Sequence, residues 1–169
     1  MTKDINKDLF AEETKLKLNI FRDCFKEWIP VFVHNPHVKG IYIYDFFAGS
    51  GKDIEGTYGS PLILLDEIKG KDNDYCCSIK DSGKIIHCVF NEYIAKKSSE
   101  LQYNINLYLN ECKSKCSIDE CIYENKCHFP NRDFKDLVGS ENFRKILAND
   151  SFAKFILLDQ YGFKNVDKD

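Results

Sequence analysis

Residues 40–65 read GIYIYDFFAGSGKDIEGTYGSPLILL, and the order of features in this stretch decides the fold. Ile41 to Phe47 is a β-branched and aromatic run too short for a helix, so it predicts a buried strand. The run breaks at Ala48-Gly49-Ser50-Gly51, and two more glycines follow at Gly56 and Gly59. Pro61 behind Ser60 then has the form of a helix start, with Ser60 as N-cap and Leu62 to about Lys69 as the helix. Strand, glycine-rich turn and helix follow in close succession.

The alternation continues on both sides. Upstream, Leu16 to Phe32 carries Phe21, Cys24, Phe25, Trp28, Ile29 and Phe32 at spacings of three and four. That pattern predicts an amphipathic helix with Cys24 in the core, ended by Pro30 and Pro36, in an N-terminal helical segment over 1–38. His34 and His37 fall in the loop that follows, as solvated histidines or as ligands. Downstream, GKDNDYCCSIKDSGK is polar and reads as a loop, which makes Cys76 and Cys77 loop thiols. Lys84 to Asn91 predicts a second strand with Glu92 at its end, and Ala95 to Leu109 a helix. A cysteine-rich insertion spans 110–130. A short extended piece and a turn lead to a helix near Asn142 to Leu147, and Ala153 to Leu158 is an apolar strand with Asp159 at its end. Strands alternating with helices predict one α/β domain over 1–169, Rossmann-like, with a mainly parallel sheet.

Composition narrows the function classes. The chain has 169 residues, 43% apolar and 30% charged, with a net charge of −3, so a sequence-blind nucleic-acid binder is not indicated. No apolar stretch approaches the ~20 residues that span a bilayer, and the charged start MTKDINKDLFAEE is unlike a secretory signal. The expectation is a cytoplasmic protein with no membrane partner. Its eight cysteines then sit in a reducing compartment, as thiols or metal ligands.

Ligands of open α/β sheets lie beyond the carboxyl ends of the strands, where Asp45, Glu92 and Asp159 fall. An acid ending the second strand is a usual grip on ribose hydroxyls, and small residues after the first strand let the backbone approach a ligand. A phosphate-binding P-loop does not fit GSGKD, because Phe46 replaces its first glycine and Asp53 its metal-binding hydroxyl. The dinucleotide fingerprint fails as well, with Ile54 at the third small position. A nucleoside cofactor without a pyrophosphate remains, and S-adenosylmethionine fits that description.

The stretch DFFAGSG resembles the first motif of Rossmann-like class I methyltransferases. More narrowly, DFFAGSG with the following GSPL, the NE after the second strand and the late DQYG together resemble the three-Cys-motif partner protein family. The resemblance covers most of the chain. It implies that Asp45, Phe47, Ala48, Gly49 and Gly51 line the methionine side of S-adenosylmethionine, that Glu92 binds the ribose, and that Asp133 lies beside the adenine. It also implies that Asp159, Gln160 and Tyr161 face a methyl acceptor of unknown identity. Gln160 stands where the family usually has proline, and the D/N-P-P-Y tetrad of amino-methylating nucleic-acid enzymes is absent. Methylation of a base nitrogen is therefore not supported. The alternative is an inactive binding or regulatory partner module, by family analogy one in a nucleic-acid-linked defence system.

Cys112, Cys116, Cys121 and Cys127 lie within sixteen residues. Three readings stand for them: a zinc or iron–sulfur site, reduced thiols partly in the core, or one or two disulfides. Under the methyltransferase reading the sheet is incomplete after its fourth strand. Phe155 to Leu158 then forms an apolar open edge that a second copy or another protein covers.

Overall fold

A computed structural model of the chain describes residues 9–115, 122–123 and 126–160. Among these residues eleven elements follow one another: α1 (Glu12–Val33), β1 (Gly40–Asp45), α2 (Ser60–Lys69), a 3₁₀ turn (Lys71–Asn73), α3 (Asp74–Asp81), β2 (Ile85–Phe90), α4 (Ala95–Lys115), β3 (Cys127–His128), α5 (Phe134–Val138), α6 (Glu141–Leu147) and β4 (Phe152–Leu157). The four strands make one parallel sheet in the order β3-β2-β1-β4, so the α/β class with a parallel sheet holds. β1 lies between β2 and β4, with Ile43 opposite Cys88 on one side and Phe155 on the other.

Alternation along β1 sorts the core into two layers. Ile41 and Ile43 join Ile86, Cys88, Phe90, Ala153 and Leu157 against Phe25 and Ile29 of α1, Leu62, Leu64 and Leu65 of α2 and Leu101 of α4. Tyr44 and Phe46 point to the opposite face, where Phe143 of α6 packs against both rings at 5.0 and 5.5 Å.

Several local expectations are corrected. Helix α1 runs through Pro30 to Val33, one residue past its expected end at Phe32, and begins at Glu12, four residues ahead of Leu16. Burial of Ile29 and Val33 on either side of the proline holds the last turn, and the His34 N–H donates to the Pro30 carbonyl at 3.1 Å. Cys24 is exposed, because the buried line of α1 passes through Leu18, Phe25, Ile29 and Val33. The polar stretch 71–81 is helical rather than a loop: Cys76 and Ile79, one turn apart, are buried against the main core, and Cys77 is exposed. Helix α4 extends to Lys115, six residues past its expected end at Leu109. Helix α5 occupies part of the expected turn. The N-cap of α2 is Gly59, not Ser60, since the Ser60 hydroxyl is directed to Asp45 instead.

Candidate functional site

The carboxyl ends of β1, β2 and β4 bring three acidic residues to one edge of the sheet. Asp45 ends β1 fully buried. Its Oδ2 accepts the Ser60 hydroxyl at 2.6 Å and its Oδ1 accepts the Phe47 N–H at 3.1 Å. Burial pushes this carboxyl up to about 7. The two hydrogen bonds oppose the rise, and the charges of Asp159 and Glu92 add to it. Asp45 thus sits beneath the turn and organises it, with both oxygens already engaged.

The turn itself is held from four sides. The Ala48 N–H donates to the Asn91 carbonyl at 2.9 Å, and the Gly49 N–H donates to Glu92 Oε2 at 3.1 Å. The Gly59 N–H donates to the Gly51 carbonyl at 2.8 Å, and Asn104 of α4 donates to the Ser50 carbonyl at 2.8 Å. Gly49 and Gly51 take φ of +61° and +84°, values that a side chain disfavours. At Gly51 a Cβ would also come within 3.1 Å of Leu101. Ala48 is buried and Phe47 half-buried, its ring against Phe134 at 5.4 Å.

Glu92 follows β2 and is half-buried, with Oε1 accepting the Ile94 N–H at 2.8 Å. Each of its oxygens therefore takes one backbone donor and keeps acceptor capacity for another. Asp159, after β4, is paired with Lys17 of α1 at 2.7 Å. The buried Oε1 of Gln160 has no hydrogen-bond partner among the described residues. Tyr161 lies outside them. Asp133 is exposed and caps α5 by accepting the Lys135 N–H at 2.8 Å.

Several residues that build this edge carry no motif. Asn91 is buried and donates to the carbonyls of Phe46 and Arg132 at 3.2 and 3.0 Å, joining the ends of β1 and β2 to the loop before α5. Asn131 donates to the Glu92 and Tyr93 carbonyls at 2.6 and 2.7 Å. The only sequence signals for them are an asparagine ending a strand and another after Pro130. Asp53, read only as a mismatch to a P-loop, is buried and accepts N–H groups from Phe10, Glu55 and Thr57. Burial works to raise its carboxyl, but these donors outweigh burial and leave it below the ordinary range.

Of the cysteine cluster, Cys116 and Cys121 lie outside the described residues. Cys112 is buried on α4. Cys127 stands opposite Cys88 in the β2–β3 register, and the hydrogen bond between their thiols, together with burial, pushes the Cys88 thiol up. Among the described residues no three His, Cys, Asp or Glu side chains gather where they could hold a metal. Tyr123, inside the insertion, is buried and donates to the Leu65 carbonyl at 2.8 Å. His34 and His37 are exposed, away from the sheet edge. No helix among the described residues is long and apolar enough to cross a membrane. No family model matches the chain, and no curated protein or solved structure matches it either.

Proposed function

We propose that this chain is a methyltransferase-type Rossmann-like domain that binds S-adenosylmethionine, or a related nucleoside, at the carboxyl edge of its sheet. The hydrogen bond from the Gly49 N–H to Glu92 carries the reading, because it ties the glycine turn after β1 to the acid after β2. The residues fit such a ligand. Glu92 keeps acceptor capacity for the two vicinal hydroxyls of a ribose, and the turn at Gly49 and Gly51 offers a backbone surface without side chains. The unpaired Gln160 Oε1 is an acceptor for an ammonium or amide N–H.

When bound, the sulfonium supplies an already activated methyl group, so the protein's work is alignment and exclusion of water. In this reading Glu92 orients the ribose and Asp45, through Phe47 and Ser60, holds the turn. Asp159 receives the acceptor nucleophile once Lys17 has given way. Calorimetric titration with S-adenosylmethionine tests the proposal. One-to-one binding is the expected result, and absence of both heat and thermal shift at millimolar ligand rejects it.

A second reading, a partner module without its own turnover, is favoured by β4. Among the described residues nothing pairs with the outer edge of this strand, and Ile156 within it and Leu158 just after it are exposed. A free edge is a template for another strand, from a second copy or from another polypeptide. Sedimentation of the purified chain tests the second-copy form; a strict monomer at high concentration excludes it.

A further inference from the structure

On the face of the sheet opposite α1 and α2, a cavity of about 670 Å³ opens between the strands and the α5–α6 pair. Its size falls in the range of small-molecule sites. Neither Glu92 nor Asp159 lines it, although its lining residues Phe46 and Arg132 are joined to the acidic edge through Asn91.

Its floor is a rank of rings running across three strands. Tyr42 of β1 stacks on His87 of β2 with centroids 4.8 Å apart, and His87 stacks on His128 of β3 at 5.4 Å. His87 Nδ1 and His128 Nε2 are 3.2 Å apart. Tyr44 and Phe143 close the inner end. Rings stacked on one another turn their edges to the cavity, and such edges meet the face of a flat ring in a T-shaped contact.

The polar groups are one-sided. Among the described residues no Asp or Glu lines the cavity, whereas Arg132 does, and its side chain forms no ion pair there. The backbone of Arg132 is fixed, because its N–H donates to Asn91 Oδ1 at 3.2 Å and its carbonyl accepts Asn91 Nδ2 at 3.0 Å. The phenols of Tyr42 and Tyr44 have no hydrogen-bond partner among the described residues, and burial raises both, Tyr44 to about 12. The charge of Lys126 is felt at His87, which adds to the positive field. Donors beside aromatic walls, with no carboxylate among the described lining residues to oppose them, select an acceptor-rich anion.

We infer that this cavity binds a planar aromatic ring carrying an anionic group, a carboxylate or a phosphate, with the ring against Tyr42, Tyr44 and Phe143 and the anion at Arg132. The inference does not rest on methyl transfer.

Imidazole NMR of the full chain tests it, since the protein has only 4 histidines. Anthranilate and adenosine monophosphate serve as carboxylate and phosphate probes, with 2-aminobenzamide and adenosine as their neutral counterparts. Saturable shifts at His87 and His128, with His34 and His37 unmoved, are expected for one or both acids, and which acid acts identifies the anion. Arg132→Gln should weaken that binding about tenfold or more. Tyr44→Phe should weaken it about fivefold. Glu92→Gln, which lies at the other site, should leave it unchanged. The inference is overturned by an absence of shifts with either acid at millimolar concentration, by equal binding of the neutral counterparts, or by binding indifferent to both substitutions.

Discussion

The Ser60 hydroxyl donates to the Asp45 carboxylate at 2.6 Å, and this buried contact joins the first residue of α2 to the last residue of β1. The glycine turn lies between these two points, so the bond closes the turn at its base. It also tempers the electrostatics of the edge, because burial raises Asp45 to about 7 and the Ser60 hydroxyl opposes that rise.

Stability should therefore depend on pH through Asp45. In the unfolded chain this carboxyl titrates near its ordinary value of 3.8, whereas the folded chain holds the proton to about 7. Between those values the folded state binds more protons, so stability falls as pH rises, by up to roughly 1 kcal/mol per unit, and the loss from this group ends above the folded value. Asp45→Asn removes the contribution. Urea denaturation at about pH 5 and about pH 8 should show the wild type losing more stability than the variant over that interval.

Ser60→Ala leaves Asp45 Oδ2 buried without its donor. The expected cost is about 1–3 kcal/mol when the carboxylate is charged and less when it is protonated. Denaturation of the variant above and below the Asp45 titration should therefore give two different costs. Equal costs would show that the hydroxyl acts only by packing.

Glu92→Gln should weaken S-adenosylmethionine binding about tenfold or more by removing a charged acceptor, with the fold retained. Calorimetry of wild type and variant, beside their circular dichroism, separates lost affinity from lost structure.

Lys17 and Asp159 should contribute little to stability despite their 2.7 Å contact, because both side chains keep contact with solvent, 44% and 24% exposed. A double-mutant cycle with Lys17→Ala and Asp159→Ala should return a coupling of at most about 1 kcal/mol that shrinks with salt. A larger, salt-insensitive coupling would mark the pair as a structural lock.

Much of the fold was legible along the chain. β1, β2 and β4 are strands of a parallel sheet, read as continuous apolar runs, and each lies within a residue or two of its expected bounds. The short helices α3 and α5 were not legible. Each is shorter than the span over which a 3.6-residue period can be recognised, and α3 is helical where two apolar side chains meet the core. Helix α1 was legible to within one residue at its end, because its apolar face continues past Pro30 to Phe32 and Val33. At the candidate site the acids at the strand ends and the glycines of the turn could be read directly. The contacts of Lys17 with Asp159 and of Asn91 with Arg132 could not, because they join residues 142 and 41 positions apart.

The sequence by itself determined the alternation of strand and helix, the glycine turn and the acid at the end of each long strand. All of these follow from short-range sterics and hydrophobic periodicity. Only the tertiary structure decided the strand order that gathers those acids, the burial that raises Asp45 against its bond from Ser60, and the cavity between the second sheet face and α6. Those depend on which distant surfaces exclude water together, and no local window of the chain contains that information.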